Sequence, residues 1–350
     1  MTTTARRRSS VRVRAGRRLL AVLAIAAVSI GCVADTTGSG AGTTAGAGTT
    51  DPGGAPTPTP APAGPVSSPS LAPPLGLGPV PLPAPTPTAM PAGARATVPI
   101  LYYHRVQAIP AAFPTWSAAH RQQFLTYDVI PAAFSAQLDW LLEHGFTTIL
   151  PRDLVAHWDH GAPLPARPVI ITFDDGSRDW VRNVLPILKA HGMVAEFYLT
   201  LDAIEHGNLT WPEVRRLAAA GNGVGAHDVH HVQLAGLGSG RASAPAATMA
   251  SEVGEAYRII GLNVGVMPDS MAYVGGGVDA ALEQAVKDAG YTSARGIVRG
   301  IVQAQATRYR MRVVRIGMHD DVSDLLLGTL VAGLPTFEAR LNGVSDKTSD

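Results

Sequence analysis

A single cysteine, Cys32, in 350 residues leaves this chain no disulfide framework, no cysteine-built zinc module and no iron–sulfur cluster. Charge is scarce as well. Asp, Glu, Lys and Arg make up 16 % of the residues, 28 basic against 27 acidic, for a formal net charge of +1. A balance so close to zero argues against a strongly electrostatic partner such as nucleic acid. Apolar residues are abundant, at 46 %, and are joined by 37 Gly and 28 Pro. That apolar share can build a substantial core, and the length accommodates two domains or one large α/β barrel with appendages.

The charge is not spread evenly. Arg6, Arg7, Arg8, Arg12, Arg14, Arg17 and Arg18 precede the first acidic residue, Asp35. The apolar run Leu19–Val28 follows, too short to span ~30 Å of hydrocarbon comfortably. A basic stretch, a short apolar stretch and then small residues describe an export signal over residues 1–31. Without those residues the chain carries 21 basic and 27 acidic residues, a net charge of −6, which strengthens the case against nucleic acid. Residues 32–97 are Gly/Thr-rich and then Pro/Ala/Thr-rich, with fifteen prolines between Pro52 and Pro91. Such a composition cannot bury a core and reads as a disordered, partly PPII tether.

From Val98 the pattern alternates. Strand-like runs at 98–103, 147–150, 168–173, 194–199, 223–226, 271–274 and 313–318 are interleaved with helical patterns near 134–142, 180–190, 210–221, 245–260, 278–289 and 321–333. Strand and helix alternating over some 240 residues predict an α/β fold, a parallel sheet closed or nearly closed into a barrel over 98–340, with 341–350 as a tail. Chemistry in such folds sits at the carboxyl ends of the strands.

Three strand ends carry candidate chemistry. Thr172-Phe173-Asp174-Asp175-Gly176 places two adjacent carboxylates after an apolar strand, and their repulsion raises one pKa unless a cation relieves it. In His227-Asp228-Val229-His230-His231, two histidines four apart can reach one metal ion, and two His with one Asp suit a catalytic Zn²⁺ or similar ion. Tyr273-Val274-Gly275-Gly276-Gly277 lets backbone N–H groups approach a ligand. Taken singly, each has a bland counterpart: a solvated turn, a set of loop histidines, a flexible loop. His120, His144, His157, His160, His191 and His206 lie off these motifs and read as surface or loop residues.

Together the motifs resemble the polysaccharide deacetylases (NodB-homology domain, carbohydrate esterase family 4), especially the poly-N-acetylglucosamine deacetylase branch. VPILYYHRV at 98–106, FSAQLDWLLEHGFTTIL at 134–150, TFDDG at 172–176, HDVHHVQL at 227–234 and DAALEQAVKDAGY at 279–291 carry the likeness. The resemblance implies a deformed (β/α) barrel of about seven parallel strands. It also implies one divalent ion, Zn²⁺ first, held by Asp175, His227 and His231. Asp174 is then the general base, and metal-bound water attacks the acetamide of an N-acetylglucosamine-containing polysaccharide while Gly275 N–H holds the oxyanion. Tyr273 and His104 would face the substrate. His319, with His104 second, is the expected general acid. Ala272 stands where relatives carry an Arg that orients the base, and Arg315 is the expected substitute. Val274 and Gly275 replace the usual Pro and aromatic residue, so an esterase acting on O-acetylated glycan, or a non-catalytic glycan-binding protein with a vestigial site, stays open. Ser29-Ile30-Gly31-Cys32 resembles a bacterial lipobox, which implies an exported chain held at the membrane through a lipid on Cys32, or secreted without it. No protein partner is implied.

Overall fold

The computed structural model describes residues 88–91, 93–236 and 242–317, with Phe337 and Leu341. The expected signal, Cys32, most of the tether, His319, the helix at 321–333 and the tail beyond Leu341 lie outside the described residues.

Seven strands run β1 (Ile100–Tyr103), β2 (Pro168–Asp175), β3 (Glu196–Leu199), β4 (Gly223–Ala226), β5 (Ser270–Ala272), β6 (Ser293–Arg299) and β7 (Met311–Arg315). Each pairs in parallel with its neighbour in sequence, and β7 and β2 both pair with β1, so the sheet closes into a barrel. The short strand Thr147–Thr148 adds to the outside edge of β2. Helices α1 (Ala118–Tyr127), α2 (Pro131–Glu143) and α3 (Pro151–His160) lie between β1 and β2. Then α4 (Leu185–Ala190), α5 (Trp211–Ala219), α6 (Ala246–Val264) and α7 (Ala280–Ala289) each fill one crossover. Only the β6–β7 connection lacks an α-helix, and strand Val302–Ala304 with a 3₁₀ stretch takes its place.

Strand alternation produces two core layers. Ile100, Tyr102, Ile170, Met311 and Val313 fill the barrel, and Leu154 and Trp158 of α3 pack against them. Leu101, Tyr103, Ile171, Phe173 and Phe197 face outward under Phe134, Leu138, Trp180 and Leu188. Phe173 stands 5.3 Å from the Tyr103 ring and 5.2 Å from that of Phe197, the separations of stacked aromatics.

Two sequence expectations change. The folded part begins before Val98: Arg95–Thr97 pairs antiparallel with Val302–Ala304, and Met90 N–H donates to the Trp158 carbonyl. Strand β6 was not expected at all. Its inward residue is Arg295, and a charged residue flanked by Ala294 and Gly296 breaks the apolar run by which a buried strand is recognised.

Candidate metal centre

The strand register brings the candidate residues to one rim. Asp174 lies level with Tyr198, Leu199 with Ala226, and Ala272 with Arg295. Simple alternation along β2 directs Asp174 inward and Asp175 outward. Asp175, however, takes a left-handed φ of +80°, which turns the chain out of the strand, and its Oδ1 lies 3.5 Å from His227 Nε2 and 3.2 Å from His231 Nε2. Gly176 follows at φ +100°, where an added Cβ would fall 2.5 Å from that of Ala203. Asp228 and His231 are left-handed too, at +63° and +50°, so the non-glycine residues with positive φ among those described all belong to this rim. Each costs on the order of 1–3 kcal/mol and persists because its surroundings over-determine it.

Asp175, His227 and His231 each offer one ligand atom, and these atoms lie within 4.8 Å of one another. His227 Nδ1 sits 2.7 Å from the Ala272 carbonyl, which can only accept, so Nδ1 carries the proton and Nε2 is left for a cation. The electrostatics point the same way. Burial lowers the His227 imidazole, but hydrogen bonding to Asp175 and the charges of Asp174 and Asp175 outweigh it and raise it from 6.5 to about 9. Burial works against the Asp175 carboxylate, yet the His104, His227 and His231 side chains hold it well below its usual range. One carboxylate and two imidazoles, converging where positive charge is favoured, fit a divalent ion of the zinc type.

Asp174 is buried and pairs with the Arg295 guanidinium, which is fully buried. That guanidinium lies 5.0 Å from the Tyr102 ring and 4.8 Å from that of Tyr198. The Arg315 expectation is thereby corrected: Arg315 is exposed, lies over the rings of Tyr127 (5.0 Å) and Tyr102 (5.7 Å), and does not supply the partner that orients Asp174. His104 ends β1 on the same rim. Its ring is buried against Tyr127 at 4.6 Å, and Nδ1 has no hydrogen-bond partner among the described residues. Burial lowers its pKa while Asp175 and Asp174 pull it upward. A π-helical turn at Trp180–Val184 braces this strand end: Trp180 Nε1 donates to the His104 carbonyl at 3.1 Å, and Asn183 Nδ2 to the Val106 carbonyl at 2.6 Å. Such turns recur at functional sites.

The glycine loop stands opposite. Gly275 (φ +64°) lies against the Gln233 side chain, and a Cβ on Gly276 (φ +74°) would collide with Ile297. Tyr273 is a second correction. Its ring is buried and its hydroxyl donates to the Tyr309 carbonyl at 3.0 Å, so the side chain offers a substrate nothing. Asp228, in the position of the expected hydroxyl residue, is buried, and desolvation raises its carboxyl from 3.8 to about 7. Of the off-motif histidines, His120 and His144 stack on Trp116 and Trp140, both at 3.8 Å, and His191 pairs with Asp139.

A parallel barrel with an Asp/His/His cluster able to hold a cation and a second, arginine-held carboxylate at the carboxyl ends of its strands is a candidate metal centre of the hydrolase type. Residues 161–294 match the model of the polysaccharide deacetylase family. The match runs from Gly161, directly after α3, to one residue short of Arg295. YxkH of Bacillus subtilis (strain 168), assigned by name to the same family, is 30 % identical over 105 residues, 30 % of this chain and 38 % of that protein. The poly-beta-1,6-N-acetyl-D-glucosamine N-deacetylase of Escherichia coli (strain K12) is 35 % identical over 69 residues, 20 % of this chain and 10 % of that protein. The chain therefore spans well under half the length of these curated relatives. Among solved structures, Streptococcus pyogenes deacetylase PplD in complex with acetate aligns with a TM-score of 0.57 at 20 % identity, over 68 % of this chain and 99 % of PplD. IcaB from Ammonifex degensii aligns at 0.51 and 18 %, over 70 % and 99 %. These similarities establish the fold.

Proposed function

We propose that this chain is a metal-dependent deacetylase that removes N-acetyl groups from an N-acetylglucosamine-containing polysaccharide. The observation that carries the reading is the convergence of Asp175, His227 and His231 beside a buried, arginine-paired Asp174 on a barrel mouth. The match of residues 161–294 to the family model and the named activity of the Escherichia coli relative support it. Asp175, His227 and His231 would hold the ion, which when bound supplies Lewis acidity and makes water a competent nucleophile near neutral pH.

The chain's own residues carry the proton traffic. Asp174 accepts a proton from the attacking water as its oxygen bonds to the acetamide carbon. Arg295 keeps that carboxylate in place. The N–H of Gly275 stabilises the developing oxyanion. As the C–N bond breaks, the departing amine takes a proton from the general acid, for which His319 is the first choice and His104 the second, leaving acetate and a free amino sugar. His319 lies outside the described residues; His104 stands on the same rim, where burial lowers its imidazole from the ordinary value.

The test is acetate release from N-acetylglucosamine oligomers by the purified chain, before and after chelation, with an Asp174→Asn variant. Activity that is lost on chelation, restored by Zn²⁺ and reduced ~10²–10⁴-fold in the variant is the expected result. Zinc binding without acetate release from any N-acetylated glycan would replace the enzyme with a glycan-binding protein, and release from O-acetylated glycan alone would make it an esterase. The lipobox-like Ser29–Cys32 supports an exported chain held on the outer side of a membrane by a lipid on Cys32, or secreted where Cys32 is not lipidated. Release of a Cys32→Ala variant into the medium tests that placement.

A further inference from the structure

The segment carrying both candidate imidazole ligands has no regular secondary structure. Between the end of β4 at Ala226 and the start of α6 at Ala246, residues 227–231 include two left-handed non-glycine residues, Asp228 and His231. A segment of that shape has few internal hydrogen bonds, so what holds it must come from elsewhere. Its carbonyls are tied from one side. Val229 O accepts from Asp202 N–H and from the Thr200 hydroxyl, both at 3.0 Å, and Asp228 O accepts from Leu201 N–H at 3.4 Å. Its amides are tied from the other side by one residue of α6. Glu252 Oε2 accepts from Val229 N–H at 3.1 Å and from His230 N–H at 3.0 Å, while Oε1 lies 2.7 Å from His230 Nδ1. Glu252 is buried, and His230 itself is exposed and points away from the three ligand atoms.

We propose that Glu252 is the positioning residue of the metal loop: by accepting three hydrogen bonds from residues 229–230, it fixes the backbone shape that presents His227 and His231 to Asp175. The proposal rests on the metal reading above. Glu252 does not touch the site. It removes the alternative loop shapes in which the two imidazoles diverge, and those shapes would otherwise have to be frozen out when the ion binds. A carboxylate suits the task because one oxygen can serve two successive N–H groups while the other takes the imidazole. An amide at this position keeps a single, neutral acceptor oxygen, so the two backbone bonds lose their charge assistance whether or not its NH2 reaches His230 Nδ1. Partners that orient ligands in this indirect way contribute roughly 10–100-fold to metal affinity.

The experiment titrates Zn²⁺ into metal-free full-length protein against a chromophoric chelator, for wild type, Glu252→Gln, Glu252→Ala and His230→Ala. Unfolding midpoints of the metal-free forms are measured alongside. Glu252→Gln should bind zinc about 10-fold more weakly and Glu252→Ala up to about 100-fold. His230→Ala, which keeps both backbone bonds, should stay within about 3-fold. A clamp that only stabilised α6 would lower the midpoint and leave zinc affinity well below that midpoint unchanged. Glu252 variants that bind zinc within about twofold of wild type overturn the proposal while leaving the metal reading intact. A wild type that binds no zinc overturns the metal reading and this proposal with it. Should Glu252→Ala fail to fold, hydrogen exchange decides: the Val229 and His230 amides of wild type should be protected without metal and exchange faster in Glu252→Gln. Absence of protection in wild type refutes the assignment.

Discussion

The sharpest consequence of this structure concerns Arg295. Its guanidinium is buried inside the barrel, with Asp174, itself almost wholly buried, as its ionic partner. The rings of Tyr102 and Tyr198 lie within 5.0 Å. Replacing it by Met keeps the length and removes the charge, which leaves the Asp174 carboxylate desolvated and alone. Breaking a buried pair from one side costs about 3–5 kcal/mol. Two cation–π contacts on the desolvated guanidinium add on the order of 1–2 kcal/mol together. Asp174→Asn leaves the guanidinium without its counter-charge and should cost a comparable 3–5 kcal/mol. The double variant strands neither charge, so its loss should fall at least ~2 kcal/mol short of the sum of the single losses. Denaturant unfolding of the four proteins at constant pH measures this cycle. Arg315→Met, at an exposed position, serves as the reference and should cost about 1 kcal/mol or less. Additive losses in the cycle, or an Arg315 loss as large as that of Arg295, would refute the claim that Arg295 is the arginine that holds Asp174. Acetate release should follow the same order, with Arg295→Met strongly impaired and Arg315→Met close to wild type.

Three further outcomes follow from the same structure. His227→Ala and His231→Ala should each abolish stoichiometric zinc retention, measured by elemental analysis after dialysis, whereas His120→Ala should retain one ion per chain. Glu196 is buried with neither carboxylate oxygen hydrogen-bonded among the described residues, and burial raises its pKa well above 4.5. The folded chain therefore keeps a proton that the unfolded chain releases near pH 4.5, so this contribution to stability is fully present below that pH and is lost as pH rises through the folded-state value. Glu196→Gln should flatten that decline between pH 5 and pH 8 in denaturant titrations, and parallel profiles for the two proteins would contradict the assignment. Gly225→Ala would put a methyl group 2.6 Å from the Tyr198 ring and 2.7 Å from the Ser270 carbonyl oxygen, so a loss of about 1–3 kcal/mol or more is expected from thermal unfolding.

How much of this site could be read from the sequence depended on whether chemistry and local pattern coincided. Asp174 and Asp175 end β2, a continuous apolar run that announced both itself and its terminal carboxylates, whereas His227 and His231, beyond the short Gly223–Ala226 strand, were legible through their own four-residue spacing. Arg295 had the opposite fate. It lies within its strand rather than at its end, and the residue that makes β6 functional is the one that hides β6 as a strand. What reveals it is a pairing 121 positions apart, stabilised by a burial that no local window contains. Glu252 was invisible for a related reason. On a helix surface a glutamate is normally solvated, and only the placement of α6 beside the left-handed loop turns it into an acceptor for three donors. The Tyr273 expectation failed in the reverse direction, because strand ends present the backbone and every second side chain to the mouth, and this residue's ring falls on the buried side. The catalytic groups of such a barrel are legible because apolar strands frame them. The residues that aim them are charges drawn into the interior, and interior charge takes its meaning from partners distant in sequence.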